Sequence, residues 1–212
     1  MTSPLSALLR EGTKDSHRLA ETTAFIREFF SGQLSLESYR EFLVQLHPVY
    51  SALEQTQECH QTHAVYGKVY FPSLYRTAAL EEVLNFYFGD EKWREIPPHT
   101  ATSVYVQRIT TLSEAWVEGL IAHHYTRYLG DLSGGQILKR IVAKTFNLSS
   151  NVGLAFYEFP QIPDHKHFKD EYRARLDAMG LDETTSQKIV DEANYAFELN
   201  RGVFDSMLEP VK

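Results

Sequence analysis

Apolar residues recur every three or four positions along most of the chain, which is typical of helices with one buried face, and strand-like alternation is scarce. The pattern predicts helices over residues 4–30, 35–58, 77–88, 163–180 and 182–207, the second kinked at Pro48. The proline-free stretch from residue 99 to 159 has room for two more helices, and residues 152–157 are compatible with an extended conformation. The sequence therefore predicts an all-α fold, a single multi-helix domain over residues 1–212.

Composition excludes several classes of function. The chain has 212 residues, and its 21 basic and 28 acidic residues give a net charge of −7. An acidic protein lacks the basic footprint of a nucleic-acid binder. No apolar run approaches the roughly 20 residues that span a bilayer, and the first ten residues lack a signal-peptide pattern. We expect a soluble, cytoplasmic protein with no membrane anchor and no nucleic-acid partner.

The counts of histidine and cysteine limit the metal chemistry. One cysteine excludes a disulfide framework and any Cys-rich zinc or iron–sulfur site, whereas nine histidines leave histidine ligation open. Cys59, His60 and His63 lie near a predicted helix end but do not complete a metal site. His123 and His124 point about 100° apart on a helix, so they cannot hold one ion together.

Three glycines interrupt a helical pattern over residues 120–146. Gly130, Gly134 and Gly135 together cost about 3 kcal/mol relative to alanine, which calls for a reason. One reason is close helix packing or a plain helix break; the other is close approach of the backbone to a flat ligand. Arg127 shares a face with Gly130 and Gly134, and Asp131 lies beside it, which favours a ligand; the alternative is a surface ion pair.

A second polar face lies on the first predicted helix, where Arg10, Lys14, His17 and Glu21 follow each other at spacings of four, three and four. His17 is either a satisfied, partly buried histidine or a metal ligand whose second nitrogen is held by Glu21. Arg10 and Lys14 are either solvated charges or contacts for a ligand's carboxylates.

These residues together resemble the biliverdin-forming heme oxygenases. The resemblance rests on the stretches 10–21 and 122–136, of which the second is close to a family fingerprint, and on residues 69–72, 168–173 and 192–200. It implies heme b as both cofactor and substrate, with O2 and electrons from an external donor. The ring is opened at a meso carbon, the α position being expected, to give biliverdin, carbon monoxide and Fe2+.

The resemblance also implies roles for individual residues. His17 corresponds to the iron ligand, and Glu21 to a carboxylate beside it. Gly130 and Gly134 let a helix backbone lie against the heme, and Asp131 organises a water network above the iron. The remaining matches are Arg127, Tyr50 and Asn200 in that network; Arg10, Lys14, Lys169, Tyr172 and Arg173 around the propionates; and Tyr125 and Phe197 as further heme contacts. His124 stands where some members have a small residue and receives no role.

The partners implied are heme and a redox partner, either a ferredoxin or an NAD(P)H-dependent reductase, acting on a monomer. Basic residues at Lys139, Arg140 and Lys144, or at Lys166 and Lys169, are either its docking patch or ordinary surface charge. A non-catalytic heme sensor is the main alternative, and Asp131 argues against it because a pure binder has little need of that carboxylate. A thiaminase-like hydrolase would need a nucleophilic cysteine, and Cys59 has no evident triad.

Overall fold

Helices carry most of the described chain. The computed structural model describes residues 3–149 and 151–207, and within them it contains ten α-helices and no strand. These are α1 Leu5–Gly12, α2 Lys14–Glu21, α3 Ala24–Ser31, α4 Leu36–Cys59, α5 Thr77–Phe88, α6 Thr100–Ala115, α7 Leu120–His124, α8 Gly135–Thr145, α9 His165–Asp177 and α10 Glu183–Ser206. A π-helical turn, Tyr125–Leu129, follows α7, and the short 3-10 turns include Tyr66–Val69 and Ala155–Tyr157. The predicted all-α class is confirmed.

The N-terminal region differs from the prediction of one helix over residues 4–30, which is wrong. Three helices of eight residues stand there, separated at Thr13 and at Thr22–Thr23. The hydroxyls of Thr13 and Thr22 bond back to carbonyls three or four residues earlier, an arrangement that competes with helix continuation. Thr23 then caps α3 by accepting the N–H of Ile26. The residues from Arg10 to Glu21 are therefore divided between α1 and α2.

Several other helices begin and end where the sequence predicts. Ser35, Asp164 and Asp182 cap α4, α9 and α10 through their side-chain oxygens. Gly89 ends α5 in the left-handed conformation, with φ of 77°. α4 continues through Pro48, and the kink there stays a prediction.

The region between residues 99 and 159 is more broken than predicted. α6 forms one long helix, but the second is divided into α7, the π turn and α8. An extended conformation over residues 152–157 is wrong, because Ala155–Tyr157 form a 3-10 turn with Phe156 and Tyr157 buried.

Helix α10 connects the elements that matter for function. It packs against α1, α2 and α3 as well as against α6, α7 and the π turn. A side chain on α10 can therefore touch the segment of His17 and the segment of the three glycines. Across residues 3–149 and 151–207, none of the helices combines the length and the apolar character that a bilayer crossing requires.

Candidate active site

A cleft of about 860 Å³, open at its mouth, lies between α2, the π turn with the start of α8, and α10. Much of its wall is apolar, from Ile26, Phe30, Phe42, Leu138, Phe156 and Phe204. Its polar groups are His17, Glu21, Arg127, Asp131 and Asn200. A largely apolar cleft with a few convergent polar groups is typical of a small-molecule site.

The glycines at the cleft make space and are not needed for backbone conformation. Gly130 and Gly134 have ordinary helical dihedrals, with φ of −60° and −64°. A Cβ on Gly130 would meet nothing within 4 Å, and one on Gly134 would meet only a carbonyl oxygen at 3.6 Å. Helix packing therefore does not explain these two residues, whereas a flat ligand against the backbone does. We call Gly130, Gly134 and the backbone between them the glycine wall.

A π turn carries the chain into the glycine wall. The turn begins directly after His124 and ends at Leu129; a three-residue turn over 132–134 then precedes α8. Such turns are frequent at functional sites because the extra residue re-aims the side chains that follow. Arg127 is on this turn, and Asp131 follows it by two residues.

A hydrogen-bond network joins four of the sequence-predicted residues behind the glycine wall. The Tyr50 hydroxyl donates to Asp131 Oδ2 at 2.5 Å and accepts from Arg127 Nη2 at 2.6 Å. Arg127 Nη1 donates to Asn200 Oδ1 at 2.6 Å. Arg127 and Asp131 are 3.8 Å apart, with side-chain exposures of only 11% and 13%. Their pairing is therefore part of a buried network and not the surface ion pair that the sequence left open.

Burial and the contacts within this network shift the pKa values of its own members. Burial raises the pKa of Asp131, and the opposing effects of Arg127 and Tyr50 only partly offset it. Burial lowers the pKa of Arg127, but Tyr50 and Asp131 outweigh it, so the guanidinium stays charged. Burial also raises the pKa of Tyr50 well above its usual value. The network thus contains a fixed cation, a neutral phenol and a carboxyl group whose pKa burial raises.

His17 lines the same cleft from α2. Its Nδ1 lies 3.6 Å from a carboxylate oxygen of Glu21, and its ring packs edge-on against Phe197 at 5.4 Å. The side chain is 54% exposed, so it is not the buried, satisfied histidine of the alternative reading. With Nδ1 towards Glu21, Nε2 is the nitrogen suited to ligate a metal.

The side chains of the cleft fit a metal ion that receives most of its ligands from a bound organic molecule and only one from the protein. Across the described ranges 3–149 and 151–207, no group of three or more His, Cys, Asp or Glu side chains can hold a metal ion. A single imidazole is a sufficient axial ligand when four other donors come from a porphyrin. The glycine wall and the lone histidine on one apolar cleft therefore fit a flat, iron-bearing macrocycle.

Four predicted cations lie outside the cleft wall. Arg10 and Arg173 are close enough to Tyr125 that both oppose the effect of burial, which raises its pKa. Lys14 pairs with Glu11 on the exposed surface. Lys169 Nζ lies 3.1 Å from the hydroxyl of Ser133, beside the glycine wall.

Tyr172 is not brought to the cleft. It is fully buried, and its hydroxyl lies 2.7 Å from Nδ1 of His124. His123 is also buried and bonds through Nε2 to Glu192 at 2.8 Å, where Arg108 pairs with the same carboxylate. Sequence reasoning missed these pairs because each joins residues 48 or more positions apart.

Reasoning from the sequence also missed part of the cleft wall. Phe156 and Tyr157 lie within residues 152–157, whose sequence is compatible with an extended conformation, and Phe42 and Phe204 look like ordinary core residues on their own helices. For Phe156 and Tyr157, the signal in the sequence is the aromatic character of residues 156–159.

The fold and the cleft define a helical protein in which one imidazole and a glycine wall line a cleft that fits a flat ligand. Comparison with known proteins places the chain among them: the family model described as heme oxygenase matches residues 3–206. A curated heme oxygenase 1 from Nostoc sp. is 46% identical over 208 residues, which is 98% of this chain and 87% of that protein. The chain belongs to the heme oxygenase family.

Solved structures agree. Heme oxygenase from Leptospira interrogans superimposes with a TM-score of 0.94 at 44% identity, over 96% of this chain and 100% of that one. Heme oxygenase-1 from the cyanobacterium Synechocystis sp., in complex with heme, gives 0.93 at 42% identity, over 97% and 93%.

Proposed function

We propose that this chain is a heme-degrading oxidoreductase that opens heme at a meso carbon, the α position, with O2 and electrons from an external donor. The products are biliverdin, carbon monoxide and Fe2+. The observation that carries this proposal is the glycine wall, since two missing side chains face open space in the cleft that His17 also lines. Family membership supports the same reaction, and no comparison favours a non-catalytic heme sensor.

His17 would bind the iron through Nε2, and Glu21 would orient the imidazole through Nδ1. Heme supplies the iron at which O2 is activated and is itself the molecule that is cleaved. The chain's own residues then bind, orient and supply protons.

The glycine wall keeps side-chain acids away from the iron. Gly130 and Gly134 present no side chain, and the carboxyl of Asp131, which lies between them in the sequence, is tied to Tyr50. Because burial raises its pKa, Asp131 holds a proton more readily than an exposed carboxyl and can pass it to water in the cleft. Arg127 and Asn200 fix the position of this carboxyl through Tyr50.

The cations would hold the two propionates and thereby set which meso edge meets the wall. Lys169 lies beside Ser133, and Arg173 and Arg10 both lie near Tyr125. Lys14 stands on α2, which follows the helix of Arg10. Holding the ring in one orientation is a proximity effect that directs the site of attack without new chemistry.

We further propose a monomeric, cytoplasmic enzyme reduced by a ferredoxin or an NAD(P)H-dependent reductase. Arg140 and Lys144 on α8 are exposed and would offer the acidic partner a basic surface, whereas Lys139 is paired with Glu158.

One optical experiment tests the reaction. Purified protein is titrated with hemin and then reduced under air. Stoichiometric growth of a Soret band, followed by its loss and the appearance of biliverdin absorbance, is the expected result. Stable heme binding without ring opening would instead indicate the sensor. His17→Ala should change the spectrum and weaken binding, whereas His167→Ala, an exposed histidine outside the cleft, should leave both unchanged. An unaltered spectrum in His17→Ala would refute the ligand assignment.

A further inference from the structure

One buried hydrogen bond connects two elements that the proposed function places on different sides of the substrate. His124 is the last residue of α7, directly before the π turn that leads to the glycine wall. Tyr172 lies on α9 between Lys169 and Arg173, the two cations proposed to hold propionates. The Tyr172 hydroxyl and His124 Nδ1 are 2.7 Å apart, and both side chains are fully buried.

The direction of this bond follows from the surroundings of the imidazole. Burial lowers the pKa of His124 to about 3, so the ring is neutral at physiological pH. Within the part of the chain that the structure describes, Nε2 has no hydrogen-bond partner. If Tyr172 donates to Nδ1, only one group, the Nε2 proton, is left unpaired. The opposite direction would leave both Nε2 and the Tyr172 proton unpaired, so Tyr172 is the donor.

Stacked rings hold Tyr172 in place for this bond. The rings of His124 and Tyr172 are within 8° of parallel at 5.5 Å, and Phe71 stacks on Tyr172 at 5.7 Å. Tyr128 of the π turn packs against His124 at 4.6 Å. The π turn and α9 are therefore fixed through one rigid aromatic cluster.

In the part of the chain that the structure describes, this bond is the buried one of two hydrogen bonds that tie α9 to the segment leading to the glycine wall. Among the described residues, the other hydrogen bond between α9 and the segment from His124 to Ser133 is the one from Lys169 to Ser133. The Lys169 bond lies at the exposed surface and its ammonium would also serve a propionate, so it holds the spacing between α9 and this segment less firmly than the buried bond. The distance from the glycine wall to the cations of α9 therefore depends mainly on His124 and Tyr172.

We propose that His124 is a positioning residue that sets the in-plane orientation of the substrate. Its bond to Tyr172 fixes the spacing between the glycine wall and the propionate-holding face of α9, and that spacing decides which meso carbon lies under the wall. This inference rests on the proposed function, because it assumes that Lys169 and Arg173 hold the propionates.

Two measurements on the heme complex test it. Proton NMR of the ferric protein reports the in-plane orientation through the shifted heme methyl resonances, with no turnover required. Chromatography of the biliverdin isomers reports the position of cleavage. Tyr172→Phe removes the donor and keeps the ring, and His124→Leu removes the acceptor. We expect either variant to lower the ratio of major to minor orientation, and of major to minor isomer, about fivefold.

Two further variants separate positioning from general loosening of the core. His124→Asn keeps an acceptor near the position of Nδ1 and should restore the ratio. Tyr66→Phe is the matched control, since Tyr66 packs edge-on against His124 but bonds to Thr56. It should leave both ratios unchanged.

The inference is overturned if Tyr172→Phe keeps the wild-type orientation, or if Tyr66→Phe shifts it as much. Should His124→Leu fail to fold, Tyr172→Phe decides alone. If wild-type protein binds heme without making biliverdin, the proposed function fails, while the NMR orientation still tests the role of His124.

Discussion

The two sides of the cleft are built differently. Behind the glycine wall, Arg127 and Asp131 are almost fully covered and are joined to Tyr50 and Asn200 by short hydrogen bonds. On the other side, His17 is 54% exposed, stands on a helix of eight residues and meets Glu21 only at 3.6 Å. In the proposed function, the side that would handle protons is therefore fixed before substrate arrives, whereas the side that would bind iron is completed by the substrate. Four predictions test this contrast, from the largest expected effect to the smallest.

Filling the glycine wall should have the largest effect. Gly130→Leu places a side chain in the space that a flat ligand needs, and we expect heme affinity to fall on the order of 1000-fold. The fold should not suffer, because the new Cβ meets nothing within 4 Å and leucine favours helix. Heme titration and thermal unfolding check both statements.

Gly119→Ala is the matched control for that change. A Cβ on Gly119 would come within 2.6 Å of Trp116, so this variant should lose stability while its folded fraction binds heme normally. Normal heme affinity in Gly130→Leu would remove the glycine wall from the site.

Replacing the carboxyl group of Asp131 should affect turnover and not binding. Asp131→Asn keeps an oxygen that accepts from Tyr50, so heme affinity should change less than about twofold while the rate of biliverdin formation falls about 100-fold. Single-turnover absorbance measurements give the rate. Asp205→Asn, on the exposed face of α10, serves as control. An equal loss in both variants would argue against a role for the network.

The buried side should also make folding depend on pH. The pKa of His124 is lowered from 6.5 to about 3 by burial, so the unfolded chain takes up a proton that the folded chain refuses. Its contribution is fully present above pH 6.5 and is lost as the pH falls towards 3. Below pH 6.5, the difference in unfolding free energy between wild type and His124→Asn should drop by about 1.4 kcal/mol per pH unit. Each such drop is a tenfold change in the ratio of the two unfolding equilibrium constants. Urea unfolding at pH 7, 6 and 5 measures it, and a constant difference would contradict the prediction.

The exposed side should respond weakly. Glu21→Gln alters an ion pair whose two partners are each about half exposed, so heme affinity should change no more than about threefold. Asp15→Asn, on the same helix, is the control. Resonance Raman of the iron–imidazole stretch should still detect a small shift. A 100-fold loss of heme affinity in Glu21→Gln would mean that the His17 side of the cleft is as strongly preorganised as the network.

The sequence predicted the fold where local signals decide. Ser35 and Asp182 cap the helices predicted to start at those residues, and Gly89 ends the helix predicted over residues 77–88. The predicted helix over residues 4–30 failed because apolar periodicity continues across Thr13, whose hydroxyl turns back onto the preceding helix.

The site followed the same rule. His17, Arg127, Gly130 and Asp131 were found from spacing within single helices, and the structure brings them to one cleft. Tyr172 was assigned to the propionates from resemblance alone, and the structure places its hydroxyl on His124 instead. No pattern along the chain reports a contact between residues 48 positions apart.

The glycine wall limits how the cleft of such a protein can evolve. Every substitution at Gly130 or Gly134 adds side-chain atoms to the glycine wall. The shape of this surface therefore cannot change in small steps through substitutions at these two positions. Variation in the shape of the cleft must then come from other side chains that line it, such as Phe30, Leu138 and Phe204. An engineer who wishes to admit a differently substituted macrocycle should mutate those three positions and leave the two glycines alone.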